Sequence, residues 1–475
     1  MIEDMLRLRS IVFLVACVPC ACSGGGSAPA STPVTQVVLA PKASASPASS
    51  ASPGASPTPA ATPTGAATST PAASPTPFAA PNPIRHVVIV IQENRSFDNL
   101  FNGYPGANTV SSAVESNGST IQLATIPFEY PKDLDHSHVN FLREYANGHL
   151  YFDLYPSNPP NLAYGKVPAA ETQPYFALAQ SYVLADDMFQ SNSGPSFVSH
   201  LYLTAGGAQI APGQNVDEDP NGAAPWGCDS PAGETVALLG PNGTDLPGPF
   251  PCFNYETLPD ELDAKSLPWR YYAPAIGSSG MIWSTLDAIS HLRYGPDWTT
   301  DVISPETNVL TDAATGPLPD VTWVVPTDAN SDHPSSLSAT GPQWVTSVVN
   351  AIGQGPNWNS TAIFVVWDDW GGWFDHVPPP QVDAMGYGFR VPLLVISPYA
   401  KHGYVSHVQH EFGSILHFTE ETFGLAPLAA SDARADDLSD CFDFAQSPRA
   451  FVPFATMRTP ASFRHAPENR PPDDD

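Results

Sequence analysis

Two continuous apolar runs are the strongest feature of the hydrophobic pattern along this chain, and each run ends in paired polar side chains. Residues 86–94 read HVVIVIQEN, and residues 362–369 read AIFVVWDD. A β-branched run without alternation is typical of a strand that is buried on both faces, as in a parallel sheet covered by helices. We therefore predict an α/β fold with a largely parallel central sheet, flanked by helices and carrying long loop insertions.

The polar pairs at the ends of these runs indicate a metal site. Glu93 and Asn94 follow the first run, and Asp368 and Asp369 follow the second. Ligands of open α/β sheets bind just beyond the carboxyl ends of the strands, so the two pairs are expected to meet at one edge of the sheet. Three carboxylates and an amide oxygen would repel one another there unless a cation lay between them. Either pair alone would indicate ordinary turn or helix-capping residues.

A serine-rich turn before a helical pattern supplies the third element of the expected site. Residues 190–196 read QSNSGPS, and the pattern over residues 197–205 predicts a helix that ends at a Gly-Gly pair. Ser193 or Ser196 is expected to cap this helix. A hydroxyl at a helix N-terminus faces free backbone N–H groups and the positive end of the dipole, which suits a nucleophile that attacks phosphorus. The alternative for Ser196 is a capping role alone.

Together these motifs resemble the bacterial phosphoesterase family, which holds the phospholipases C and the secreted acid phosphatases within the alkaline phosphatase-like superfamily. The resemblance covers most of residues 84–425, in matching order. It extends to further motifs along the chain: NRSFD at 94–98, DHP at 332–334, DDWGGWFDHVPPP at 368–380, GFRVP at 388–392, ISPY at 396–399 and SILHFTE at 414–420.

The resemblance implies one or more divalent or trivalent metal ions held by the four residues Glu93, Asn94, Asp368 and Asp369. It implies that Ser196 is the nucleophile and forms a covalent phospho-enzyme. It also implies histidines beside the site, which match His136 and His333. His138 competes with His136, because the two positions differ by only two residues.

The chemistry of these residue types agrees with the roles that the resemblance implies. A cation lowers the pKa of a serine hydroxyl and offsets charge on phosphate oxygens. A leaving alkoxide needs a proton, which a histidine of near-neutral pKa can supply, and Asp332 is expected to orient or charge His333. Three tryptophans at the end of the second apolar run and just after it are expected to pack and shape a pocket, with lipid contact as the alternative: Trp367, Trp370 and Trp373.

The expected function is metal-dependent hydrolysis of phosphate esters through a phosphoserine, of the acid phosphatase or phospholipase C type. One alternative is a phospholipase C that acts on phosphatidylcholine-like lipids rather than a phosphomonoesterase. Another, of a different class, is an inactive metal-stabilised surface-binding lipoprotein. The loops over residues 210–260 and 280–320 are expected to decide the substrate, which is a small phosphate ester or a phospholipid head group.

The net charge of the chain limits which molecules the protein can bind. The formal net charge of −29 excludes a nucleic-acid partner, since no basic stripe is present to neutralise phosphates. An anionic substrate must then be held by metal, histidines and helix N-termini.

Cys228 and Cys252 bracket a Gly/Pro-rich loop and are the expected disulfide pair, and pairing of Cys441 with either of them stays open.

The N-terminal residues indicate export. Residues 1–22 have the charge and the short apolar run of a signal peptide, and a lipobox-like LVAC ends at Cys17, with Cys22 as the alternative lipidated cysteine. Residues 23–80 are an Ala/Ser/Pro-rich segment expected to be a disordered tether. A phosphoesterase domain is expected over 81–463 and a disordered tail over 464–475. We expect a periplasmic or cell-surface lipoprotein attached to the membrane only through that cysteine, or alternatively a secreted protein.

Overall fold

The computed structural model of the protein describes residues 81–222, 224–336 and 338–464. The predicted leader and tether, and nearly all of the predicted tail, lie outside the described residues.

A single large sheet organises the described part of the chain. Its strands are β1 (His86–Gln92), β2 (Val183–Ala185), β3 (Trp269–Tyr272), β4 (Val302–Ile303), β5 (Val321–Val324), β6 (Thr361–Trp367), β7 (Leu393–Ile396) and β8 (Tyr404–Ser406). They lie in the order β4-β3-β5-β1-β6-β7-β2-β8. Every neighbouring pair is parallel except the two pairs that β7 makes, with β6 and with β2. The predicted α/β fold with a largely parallel sheet is therefore confirmed.

The two predicted strands lie side by side at the centre of this sheet. β1 and β6 pair in parallel, from His86 opposite Thr361 to Gln92 opposite Trp367. All residues of β6 and all but the first of β1 are buried. Both faces are covered, which is why neither strand shows the apolar–polar alternation of a half-exposed strand.

Helices pack around the sheet in two groups that make contacts among themselves. The helices are α1 (Phe97–Phe101), α2 (His138–Tyr145), α3 (Gln173–Ser181), α4 (Ser196–Ala205), α5 (Leu258–Ala264), α6 (Ser290–Arg293), α7 (Asp297–Thr300), α8 (Val309–Thr315), α9 (Gly341–Gln354), α10 (Phe412–Phe423), α11 (Ala430–Arg434) and α12 (Pro460–Phe463). The first group includes α3, α8 and α9, and the second group includes α4, α5, α10 and α11.

Long insertions between these elements form small two-stranded sheets. The pairs are Ser112–Val114 with Thr120–Gln122, Ala124–Thr125 with Gly165–Lys166, Met188–Phe189 with His410–Glu411, Gln209–Ala211 with Gln214–Asn215, and Ala237–Leu239 with Asp245–Pro247. A disulfide joins Cys228 to Cys252, as predicted, and Cys441 is a buried free thiol. Among the helices of the described residues, none is long and apolar enough to cross a membrane.

Candidate active site

The acidic edge of the sheet is formed by the residues that directly follow β1 and β6. Glu93, Asn94, Asp368 and Asp369 are all fully buried there. The backbone N–H of Asn94 donates to Asp368 Oδ1 at 3.0 Å, so the two polar pairs predicted to converge are in direct contact. Asn94 has a φ of 53°, in the left-handed region that asparagine tolerates better than most residues.

A glycine allows the second pair to approach the first so closely. Gly371 has a φ of 60°, and a Cβ atom at this position would lie 2.3 Å from the carbonyl oxygen of Asn94. Its backbone N–H donates to Asp369 Oδ1 at 2.7 Å. Gly371 therefore both turns the chain after β6 and orients the carboxylate of Asp369.

Ser196 is the first residue of α4 and lies against the acidic edge. Its hydroxyl donates to Asp369 Oδ2 at 3.0 Å and accepts from Asn94 Nδ2 at 3.2 Å. The expectation that Ser193 or Ser196 caps the helix is wrong: Pro195 occupies the N-cap and makes no side-chain hydrogen bond, and the backbone N–H of Phe197 donates to Asp219 Oδ1 at 2.9 Å. The Ser196 hydroxyl is thus engaged with the site instead of the backbone of its own helix. α4 ends at Gly206, which has a φ of 66°, as the Gly-Gly pair predicted.

Burial and mutual repulsion dominate the electrostatics of the three carboxylates. Burial, followed by the charge of Asp368, raises the pKa of Glu93 and that of Asp369 well above their usual range. Burial also acts to raise the pKa of Asp368, but the nearby imidazole of His200, 3.6 Å from Oδ2, outweighs it and holds that pKa below its usual value. Asp368 is therefore the carboxylate most strongly held in its ionised form.

His200 is a site residue that the sequence reasoning missed. It is fully buried, and its Nε2 lies 3.2 Å from Glu93 Oε1 and 3.6 Å from Asp368 Oδ2. It follows Ser196 by four positions, so both residues lie on one face of α4. This Ser-x-x-x-His spacing inside a predicted helix was the available signal.

His136 is the histidine of the 136–138 pair that contacts the acidic edge. Its Nδ1 donates to the carbonyl oxygen of Leu134 at 2.7 Å, and its Nε2 lies 2.7 Å from Asn94 Nδ2 and 3.9 Å from Asp369 Oδ2. His138 instead contacts the backbone and hydroxyl oxygens of Ser193.

His333 lies beside His136, with ring centres 6.3 Å apart. Its Nε2 is 3.2 Å from Asp133 Oδ2, and burial lowers its pKa to about 3. The expectation that Asp332 orients His333 is wrong. Asp332 Oδ2 accepts from Tyr175 and Trp367, at 2.7 and 2.9 Å, and the carboxylate beside His333 is that of Asp133.

The residues at the acidic edge fit a metal ion. Three of their oxygens are buried without a hydrogen-bond partner among the described residues: Glu93 Oε2, Asn94 Oδ1 and Asp368 Oδ2. Carboxylate and amide oxygens of this kind are ligands for hard divalent or trivalent cations, and a cation would also relieve the repulsion among the acids. The neighbouring tryptophans are fully buried, which supports the packing role expected for them and not lipid contact: Trp367, Trp370 and Trp373.

The sequence profile of the Phosphoesterase family matches residues 84–426. The chain is similar to the hemolytic phospholipase C of Pseudomonas aeruginosa, with 25% identity over 432 residues that cover 76% of this chain and 56% of the relative. It is also similar to phospholipase C B of Mycobacterium tuberculosis, with 25% identity over 445 residues that cover 78% of this chain and 80% of the relative. The chain thus spans little more than half the length of the Pseudomonas protein.

Solved structures resemble this chain only weakly. A protein in the alkaline phosphatase superfamily from Vibrio parahaemolyticus superposes with a TM-score of 0.36 at 9% identity, covering 76% of this chain and 71% of that chain. At this level the likeness carries no inference about the site.

Proposed function

The chain belongs to the Phosphoesterase family, and from this premise we propose that it is a metal-dependent hydrolase of phosphate esters that uses Ser196 as its nucleophile. The observation that carries the proposal is the position of the Ser196 hydroxyl. It lies 3.0 Å from Asp369 Oδ2, beside three buried carboxylates and at the N-terminus of a ten-residue helix. An inactive binding protein would have no need of a hydroxyl in that place.

The proposed reaction has two displacements at phosphorus. Ser196 Oγ forms a bond to phosphorus while the bond to the leaving-group oxygen breaks, and that oxygen takes up a proton. Water then attacks the phosphoserine and releases phosphate or a phosphomonoester, and the Ser196 hydroxyl is restored. A cation bound by Glu93, Asn94, Asp368 and Asp369 would supply positive charge that offsets the phosphate oxygens and favours the ionised serine.

We assign the proton transfers to the two histidines of the pocket. His136 has its Nδ1 proton directed to the carbonyl oxygen of Leu134, which leaves Nε2 as an acceptor; it lies 2.7 Å from Asn94 Nδ2, which also contacts the Ser196 hydroxyl. Burial lowers the pKa of His333 to about 3, which favours its neutral form before substrate binds. A bound phosphate anion beside the ring would favour its protonated form, from which it can protonate the leaving oxygen.

The names of the relatives favour a phosphodiester substrate with a lipid leaving group. We propose a phospholipase C type of hydrolysis, in which the bond between phosphate and diacylglycerol is cleaved. Turnover of p-nitrophenylphosphorylcholine well above that of p-nitrophenyl phosphate supports this substrate class. The opposite ratio would assign the protein to the phosphomonoesterases.

The test of the nucleophile is Ser196→Ala, with Ser193→Ala as the matched control in the same turn. Loss of a covalent nucleophile lowers turnover on the order of 10³-fold or more, while bound metal is largely retained because the carboxylates remain. Acid quenching of the wild type during turnover should trap phosphate on the peptide that contains Ser196. Near-normal turnover of Ser196→Ala would show that water attacks phosphorus directly.

A further inference from the structure

A second group of metal-ligating side chains lies among residues that the proposed mechanism does not use. It joins the end of β8 and the short strand His410–Glu411 to the segment that follows α11. We call it the C-terminal cluster and define it by five residues: Ser406, His410, Asp436, Asp440 and Cys441. Ser406, His410 and Cys441 are buried, and the side chain of Asp440 is 21% exposed.

Hydrogen bonds orient the imidazole of His410 within this cluster. Its Nδ1 donates to Asp436 Oδ1 at 2.5 Å, so Nε2 is directed toward Asp440 and Ser406. A histidine that binds a metal through one nitrogen commonly donates from the other nitrogen to a carboxylate. The pair of His410 and Asp436 has this arrangement.

Asp440 presents one oxygen to two other potential ligands. Its Oδ2 accepts from the Ser406 hydroxyl at 2.5 Å. Its Oδ1 lies 3.6 Å from His410 Nε2 and 3.5 Å from Cys441 Sγ. Tetrahedral zinc, with bonds of about 2.3 Å to sulfur and about 2.0 Å to nitrogen or oxygen, separates neighbouring ligand atoms by roughly 3.3–3.6 Å. The distance from Oδ1 to Sγ therefore matches an oxygen–sulfur edge of such a tetrahedron, and the distance to Nε2 is about 0.3 Å longer than an oxygen–nitrogen edge.

We propose that His410, Asp440 and Cys441 form a structural site for zinc or a similar first-row transition metal. A thiolate, an imidazole and a carboxylate together select such ions over magnesium or calcium, which prefer oxygen ligands alone. The side chain of Asp440 is 21% exposed, so solvent can supply water as a fourth ligand. The bound metal would fasten the strand region at 404–411 to the segment at 436–441. The site is independent of the hydrolytic reaction, so the failure of either proposal leaves the other standing.

The test uses the full-length protein, freed of metal by chelation and titrated with Co²⁺ alone. Coordination by Cys441 should produce an intense thiolate-to-cobalt charge-transfer band. The band should persist in Asp369→Asn, which alters only the acidic edge of the sheet, and disappear in Cys441→Ser. Absence of the band in the wild type, or an undiminished band in Cys441→Ser, would overturn the proposal and leave His410 as an ordinary hydrogen-bonded core residue.

A second variant keeps the test sound if Cys441→Ser folds poorly. Asp436→Asn leaves all three proposed ligands in place and weakens the support of His410, so Co²⁺ affinity at this site should fall about 10–100-fold. Zn²⁺ should also raise the melting temperature of the wild type by more than that of Asp436→Asn. If the wild type and Asp436→Asn bind Co²⁺ with equal affinity and Zn²⁺ raises their melting temperatures equally, the proposed ligand set is contradicted.

Discussion

His200 connects the helix that carries Ser196 to the acidic edge of the sheet. Its Nε2 contacts oxygens of both Glu93 and Asp368, while Glu93 Oε2 has no hydrogen-bond partner among the described residues. We interpret His200 as a positioning residue, which holds two carboxylates so that their remaining oxygens converge on a cation. Its effect should then be visible in metal affinity as well as in turnover.

Substitutions at Glu93, Asp368 and His200 should lower metal affinity by different amounts. Glu93→Gln and Asp368→Asn each remove a proposed ligand charge and should lower bound metal and turnover together. His200→Leu should weaken metal binding about 10–100-fold, as loss of a supporting hydrogen bond does at other metal sites. His200→Gln places an amide N–H near the position of Nε2 and should retain most of the affinity.

Calorimetric titration of the metal-free variants with metal measures these affinities directly. Normal metal content in Glu93→Gln or Asp368→Asn would contradict a shared site. Equal affinities of His200→Leu and His200→Gln would show that the hydrogen bond does not position the ligands.

The proposed acid role of His333 predicts a dependence on the leaving group. A p-nitrophenolate leaves without help from an acid, whereas an alkoxide needs a proton. His333→Gln should therefore lose about 10²–10⁴-fold in turnover of an alkyl phosphate ester, and much less with a p-nitrophenyl ester. His138→Gln, at a residue that contacts Ser193, is the control for general damage to the pocket. Equal losses with both substrates would remove His333 from the proton transfer.

At the scale of elements, α4 is held at its N-terminus by an acidic segment from another part of the chain. Asp219 Oδ1 accepts from the backbone N–H of Phe197 at 2.9 Å, and Glu218 Oε1 accepts from that of His138 at 2.7 Å. Asp217, in the same segment, is fully buried, and neither of its carboxyl oxygens has a hydrogen-bond partner among the described residues. The segment therefore supports the helix of the nucleophile while it carries an unfavourable buried acid.

Asp217 should make stability fall as pH rises. Burial, together with the charge of Asp245, raises the pKa of Asp217 to about 7, whereas an aspartate in an unfolded chain ionises near about 3.9. Between these values the folded state binds the proton more tightly, so stability decreases with rising pH. Asp217→Asn should therefore raise the melting temperature more above about pH 7 than at about pH 4. A difference in melting temperature between Asp217→Asn and the wild type that stays constant over this pH range would contradict the buried acid.

At the scale of the whole molecule, the fold extends past the end of the family match at residue 426. Phe463 packs against Trp344 with ring centres 5.5 Å apart, and Phe451 packs against Trp358 at 5.0 Å. Arg449 donates to the backbone carbonyl oxygens of Ser181 and Ala400. The C-terminal segment is therefore part of the folded body that carries the site.

The N-terminal residues predict how the protein is attached to the cell membrane. We expect Cys17 to be lipidated, or Cys22 in its place, so that the protein is membrane-associated. Mass spectrometry of the mature N-terminus, with Cys17→Ser as the control, measures this. An unmodified N-terminus beyond residue 23 in the culture supernatant would instead show a secreted protein, and persistent attachment of Cys17→Ser would identify Cys22 as the anchor.

The sequence by itself determined the features that depend on local pattern. The unbroken apolar runs predicted β1 and β6, because a strand buried on both faces has no polar positions. The polar pairs after them were predicted to meet, because parallel neighbours end at the same edge of a sheet. The Gly-Gly pair predicted the end of α4, and the family motifs, spread over most of the chain, predicted the family.

Only the tertiary structure decided which side chains touch. Asp332 adjoins His333 in sequence, yet its carboxylate is directed to Tyr175 and Trp367, and Asp133, two hundred residues earlier, lies beside His333 instead. The role of His200 depends on how α4 is rotated against the sheet, which local spacing does not specify. Side-chain contacts between distant segments follow from packing, and packing is a property of the whole fold and not of neighbouring residues.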